Sequence, residues 1–206
     1  MHISTKIMSN NYNNSNLKRL FDIIFGLLGI IILILLLPVI FFIVKLDTNG
    51  PVFYKRDRLG INGKRFQLVK LRTMSVGSDR NKSGLRTKSF DTRVTKSGRF
   101  LRKCYLDEFP QFWNVLIGEM SVVGPRPEFP ELYNSLEKIS PNFRDRLIIK
   151  PGITGLAQVE YKHAHNDIEA AGRLEFDMDY IRSSNFLLDI KIILLTIKRS
   201  LRLGGS

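Results

Sequence analysis

Between residues 23 and 44 the chain runs for 22 residues without one charged side chain. A helix rises 1.5 Å per residue, so this run measures about 33 Å when helical, enough to cross the hydrocarbon core of a bilayer. The fold must therefore be built around a membrane segment. Pro38 lies inside it, where it removes a backbone donor and clashes with the preceding turn, so a bend is expected at Leu37 and Pro38. Lys18 and Arg19 precede the run, and Lys45, Lys55, Arg56 and Arg58 follow it. With basic residues at both ends, the positive-inside bias favours neither side. That balance fits a re-entrant helix, broken at the proline, whose two ends share one face of the membrane. A straight crossing with a tolerated proline is the alternative. Asp22, one residue before the run, needs a partner, either Arg19 or a cation of the globular part.

The expected architecture is α+β and mainly helical. Residues 1–16 are polar and Asn-rich, lack a signal-peptide cleavage pattern and are expected to form a disordered arm. Residues 17–46 form the re-entrant membrane helix. Residues 47–206 are long enough for one compact domain. Within it, β-rich flanks around Asn62-Gly63 predict a hairpin, and residues 75–91, rich in Gly, Ser, Lys and Arg, predict a basic loop. A helix is expected over 97–105. A second follows, with Pro110 in its first turn, Phe112, Val115 and Leu116 on one face, and Asp107 and Glu108 at its entrance. Near the C-terminus Leu187, Ile190, Leu194, Ile197 and Leu201 form a helical stripe beside a face with Lys191, Lys198 and Arg202. That stripe suits an amphipathic helix in the membrane interface or a helix packed on the core.

The net charge is +13, and its placement says more than its size. Residues 50–104 carry sixteen Lys and Arg against three Asp, while the remainder nearly cancels. Such a band attracts phosphates, anionic headgroups or nucleic acid. The apolar run argues against nucleic acid as a partner. A lone cysteine, Cys104, excludes an intrachain disulfide and offers no zinc spacing; it is expected to be a packed small residue. His163 and His165 form an isolated pair expected to be solvent-exposed rather than metal-binding.

The most specific segment is LDEFPQFWNVLIGEMSVVGPRP, residues 106–127. It resembles the signature of the bacterial sugar transferases, the monotopic polyprenyl phosphate phosphoglycosyltransferases. Three further blocks fit the same family in the same order: KRLFD at 18–22, GPVFYKRDRLGINGKRFQLVKLRTM at 50–74 and KPGITGLAQV at 150–159. The resemblance covers nearly all of the chain after the arm, in the form of a minimal catalytic unit without the extra N-terminal transmembrane helices of longer members. It departs from the family where Glu160-Tyr161-Lys162 replaces a frequent Asn-Gly-Arg, which leaves sugar selection open, and where Leu37 replaces the Ser often seen before the membrane proline.

The resemblance implies an enzyme of the inner, cytoplasmic membrane, its catalytic domain facing the cytoplasm, that begins glycoconjugate assembly. It implies a two-step transfer from a UDP-sugar to polyprenyl (undecaprenyl) phosphate, with Asp107 as nucleophile, UMP as leaving group and downstream glycosyltransferases as further partners. A carboxylate suits attack on phosphorus, because the acyl phosphate formed stays reactive. The diphosphate repels it unless cations intervene, so Mg2+ is the expected cofactor, with Glu108 and Asp107 as its ligands. Glu108 acting as a proton acceptor is the alternative. Lys70, Arg72, Arg102 and Arg126 are the expected phosphate contacts. Lys18, Arg19, Asp22 and Pro38 belong to the membrane anchor, the two cations against lipid headgroups. The competing readings are a basic membrane adaptor without catalysis, in which Asp107 is only a helix cap.

Overall fold

The computed structural model describes residues 11–78, 91–161 and 166–203, with side chains through residue 200. In chain order its main elements are α1 (Asn16–Asp47), β1 (Phe53–Leu59), β2 (Arg65–Leu71), α2 (Lys96–Lys103), α3 (Gln111–Leu116), β3 (Ser121–Val123), α4 (Tyr133–Ile139), β4 (Gly152–Thr154), α5 (Leu156–Glu160), α6 (Asp167–Ala171), α7 (Leu174–Ser183) and α8 (Phe186–Leu203). The architecture is mainly helical α+β, as the sequence predicts. His163, His165 and most of the basic loop lie outside the described residues.

Helix α1 begins at Ser15, whose side chain accepts from the Lys18 amide, one of the orphan donors of a first turn. Leu37 and Pro38, where the bend is expected, stay within one helix that continues from Asn16 to Asp47. A proline deletes only one rung of the ladder, and the apolar turns on both sides carry the others. One stripe of α1 is buried, through Gly26, Gly29, Leu33, Ile40 and Val44, while Leu27, Ile31, Leu35, Val39 and Phe42 are exposed. Gly29 lies against α3, where a Cβ would stand 2.1 Å from the Phe112 ring. Only a residue without a side chain permits that approach, the usual role of small residues in membrane helix packing.

The two ends of α1 join different apolar clusters. Phe21 packs in the main core with Phe66 and Leu68 of β2, Val115 of α3 and Ile192 of α8. Ile40 and Val44 pack with Val52, Leu71 and Leu101. Polar contacts repeat the pattern: Asp47 Oδ2 accepts from the Ser97 amide at 2.7 Å, while Asp22 Oδ1 accepts from the Val122 amide and Ser121 Oγ, both at 2.9 Å. Asp22 also lies 3.6 Å from Lys18, so its cation is Lys18 rather than Arg19.

Strands β1 and β2 form the predicted antiparallel hairpin, in register from Phe53↔Leu71 to Leu59↔Arg65. In its loop Asn62 and Gly63 have φ of 55° and 74°, the left-handed region those two residues enter most readily. A second, smaller sheet forms where β4, within the PGITG segment, runs parallel to β3. Strands of three residues are too short to show periodicity. The arm also departs from expectation, since Asn11–Asn14 form a 3-10 turn. Tyr12 donates its hydroxyl to Asp189, and Asn13 its amide to Ser184. These bonds order a segment that has no apolar face. Residues 1–10 of that arm lie outside the described residues.

In α8 the buried positions are Asp189 and Ile192, both at 0% exposure, whereas Leu187, Leu194 and Ile197 of the apolar stripe face outward. Cys104 is exposed rather than packed. Gly29→Ala is expected to push the Phe112 ring aside and destabilise the protein by about 1–3 kcal/mol, as overpacking does. Thermal unfolding in detergent should show the loss, and adding Phe112→Leu should recover most of it.

Candidate active site

Asp107 and Glu108 sit in their own 3-10 turn, Leu106–Glu108, rather than in the first turn of α3. The turn follows Tyr105, whose φ of 56° is unusual for a bulky residue. After this reversal the turn packs against both α2 and β2. Among the described residues no hydrogen bond engages the Asp107 carboxylate, although the residue is only 9% exposed. Glu108 is the opposite case: its Oε1 accepts from Lys70 Nζ at 2.6 Å and from Arg126 Nη2 at 3.0 Å.

Each cation is delivered by a different segment. Lys70 is the penultimate residue of β2, and β2 is fixed by Asn114 of α3, which accepts from the Val69 amide and donates to the Gln67 carbonyl. A buried asparagine thus takes the place of a neighbouring strand. Arg126 lies in the GPRP loop after β3. There the Gly124 amide donates to Thr154 and the Gly152 amide to Pro125, and a Cβ on Gly152 would stand 2.1 Å from the Gly124 nitrogen. Backbone lies on backbone where the GPRP and PGITG segments meet. Arg102, in the last turn of α2, donates from Nε to Thr73 Oγ1 at 2.8 Å, and its charge acts on Asp107.

The structure therefore brings together Asp107, Glu108, Lys70, Arg102 and Arg126. It does not bring Arg72 to them. Arg72 donates to the Asn49 and Thr48 carbonyls and to Thr48 Oγ1, bracing the turn that leaves α1. Arg72 lies one residue beyond the end of β2, so the alternation that would set it on the same face as Lys70 no longer governs its direction. Lys18 is likewise not a headgroup contact: it is 4% exposed and bonds Asp189 at 2.6 Å. Arg19 donates to the Val115 and Leu116 carbonyls at the end of α3. Pro38 is exposed on α1. Asn114 and Thr73 were not singled out in the sequence; a polar residue on the apolar face of the FWNVL helix was the available signal for the first.

Burial raises the Asp107 carboxyl above the usual aspartate range, opposed by Lys70 and reinforced by Glu108. Burial acts on Glu108 in the same direction, but Lys70 and Arg126 together reverse it and hold Glu108 below the usual glutamate range. Glu108 in turn raises Arg126, and burial lowers Arg102. One carboxylate is thus locked as an anion while its neighbour is desolvated and unencumbered. Two adjacent carboxylates fit a magnesium ion, which takes one or two such ligands and completes its shell with water and substrate phosphate. Among the described residues no cluster of three His, Cys, Asp or Glu forms a fuller cage.

The chain belongs to the bacterial sugar transferase family, which matches residues 13–203. It is 42% identical over 186 residues to the UDP-glucose:undecaprenyl-phosphate glucose-1-phosphate transferase of Klebsiella pneumoniae, covering 89% of this chain and 40% of that protein. It is 34% identical to the UDP-N-acetylgalactosamine-undecaprenyl-phosphate N-acetylgalactosaminephosphotransferase of Aeromonas hydrophila, covering 92% and 45%. To the uncharacterized sugar transferase EpsL of Bacillus subtilis it is 38% identical, covering 90% and 87%. The chain spans about two fifths of the length of the first two.

Because the folded state raises the Asp107 pKa, ionised Asp107 opposes folding at every pH above its unfolded value, and a neutral amide relieves that penalty. Asp107→Asn is expected to melt at or above the wild-type temperature at neutral pH. A clear drop in thermal unfolding temperature would contradict the electrostatics described.

Proposed function

We propose that this chain transfers a phosphosugar from a UDP-sugar to a polyprenyl phosphate, undecaprenyl phosphate by analogy with its relatives, and so starts glycoconjugate assembly. The observation that carries the proposal is the asymmetric pair: an Asp107 carboxylate without a hydrogen bond among the described residues, beside a Glu108 clamped by Lys70 and Arg126. A structural cap would use its oxygens on backbone amides; Asp107 keeps them available.

In the first step an Asp107 oxygen bonds to the β-phosphorus of the donor, the bond from that phosphorus to the bridging oxygen breaks, and UMP departs with that oxygen. In the second, an oxygen of the polyprenyl phosphate bonds to the same phosphorus and the Asp107 carboxylate leaves. Desolvation makes Asp107 more basic and more nucleophilic than a solvated aspartate. Arg102 and Arg126 present planar forks to the diphosphate oxygens, and Lys70 holds Glu108 in place. Asp107 and Glu108 would hold Mg2+, which when bound neutralises diphosphate charge.

The acceptor is a lipid, and α1 is the one helix among the described residues long and apolar enough to cross a membrane. Both of its ends are tied to the same globular body, through Lys18 and Asp22 at one end and Asp47 at the other. That supports the monotopic reading, in which both ends lie at the cytoplasmic face of the inner membrane. Outward-facing Leu187, Leu194 and Ile197 of α8, with Trp113 and Ile117 of α3, support an interfacial setting for the domain. The basic membrane adaptor gains no support from the free carboxylate.

Incubating the intact protein with a panel of UDP-sugars and Mg2+, without acceptor, should give a mass gain of one sugar phosphate and stoichiometric UMP. Asp107→Asn should give neither; Arg102→Ala and Arg126→Ala should give less. Release of UMP only when both substrates are present would overturn the covalent step. Turnover should also fall on acidification through the Asp107 pKa, above the range of ordinary aspartates. Lys70 lowers that pKa, so Lys70→Met should move the acid limb of the pH–rate profile upward.

A further inference from the structure

At the head of α1 lies a cleft of about 280 Å³, lined among others by Asn13, Asn16, Lys18, Arg19, Asp22 and Lys150. It shares no lining residue with the Asp107 cluster. Its charges divide into two groups. Lys18 is neutralised from within the fold by Asp189 at 2.6 Å and Asp22 at 3.6 Å. Asp22 is further engaged by Ser121 and the Val122 amide. That leaves Arg19 and Lys150.

Among the described residues the Arg19 guanidinium donates only to carbonyls, which take up two of its N–H groups and cancel none of its charge. The Lys150 ammonium has no hydrogen bond or ion pair among the described residues. Both cations border Gly118, whose Cβ position would lie 3.6 Å from Lys150 Nζ and 3.9 Å from Arg19 Cζ. Two positive groups thus flank one point of the backbone beside a cavity. Partial burial first, and then Arg19, pull Lys150 below the ordinary lysine range. A bound anion would remove that repulsion, and a tetrahedral oxyanion offers acceptors to both the ammonium and the remaining guanidinium N–H groups.

We infer that the Arg19–Lys150 cleft binds the phosphate of an anionic phospholipid, at a site separate from the catalytic centre. The lipid source follows from what surrounds the cleft. Leu17, Leu20 and Ile24 are exposed on the first turns of α1, and Trp113 and Ile117 are exposed on and just after α3. Acyl chains can descend along these side chains while the phosphate stays in the cleft. The inference rests on the membrane placement proposed above, and it gives the anchor a specific lipid ligand in place of general attraction to headgroups.

The test is native mass spectrometry of the full chain released from nanodiscs of phosphatidylethanolamine with phosphatidylglycerol as the minor lipid. Wild type should retain one phosphatidylglycerol. Lys150→Gln should lower retention about fivefold and Lys150→Glu further, the effect of one basic residue near a membrane surface, whereas Lys150→Arg should keep it. Thermal unfolding in lipid-free detergent should be unchanged in Lys150→Gln, separating binding from folding. Equal retention by wild type and Lys150→Gln would overturn the inference. Displacement of the lipid by millimolar inorganic phosphate would assign the cleft to a free anion, and displacement by an equimolar short-chain polyprenyl phosphate would assign it to the acceptor; either result overturns the phospholipid assignment. The sugar phosphate adduct on Asp107, measured in the same nanodiscs, keeps the two proposals apart. Adduct without lipid retention sinks only this inference, and lipid retention without adduct sinks only the catalytic one.

Discussion

One oxygen of Glu108, accepting from Lys70 and Arg126 together, is the contact on which the site is built. A lone carboxylate at such depth would take up a proton, and two cations so close would repel each other. Joined, the three offset one another's charge and draw the β1–β2 hairpin, the 3-10 turn before α3 and the GPRP loop to one place. The neighbouring Asp107 feels their charges without being bonded to them. Among the described residues, that division between one bound and one unbound carboxylate gives adjacent, chemically similar residues different surroundings.

The globular body and α1 are not separable parts. Lys18 of α1 and Tyr180 of α7 both bond Asp189 of α8, at 2.6 and 2.7 Å, and Tyr12 bonds it at 2.9 Å. A buried charge pair of this kind adds little net stability over an apolar substitute, but breaking one partner leaves an uncompensated ion. It therefore specifies how the first and last helices meet. At the other end, Arg72 braces Thr48 and Asn49, so the chain leaving α1 is held as firmly as the chain entering it.

Much of this was legible because it is written in local chemistry. The uncharged run, the Asn-Gly turn and the LDE and GPRP segments each impose a conformation or a charge within a few residues, and the helix, the hairpin and most of the clustered residues follow from them. Other features depend on partners distant in sequence. Nothing near Arg72 reveals that it turns to Thr48, and nothing in residues 11–16 foretells Asp189 as a partner far along the chain. The β3–β4 pairing was hidden by its brevity, and Asn114 by looking like one polar interruption of an apolar helix. At Pro38 the helix keeps its assignment, because one missing rung leaves the apolar turns on either side in place.

Where α5 ends, Arg199 donates to the carbonyls of Gln158, Val159 and Tyr161 at once, while the Tyr161 ring meets Phe176 of α7. Five residues after Tyr161, the Asn166 side chain accepts from the Glu169 amide and starts α6. Helix α8 thus settles where α5 stops, so the placement of a short segment in the middle of the chain depends on a residue about forty positions later.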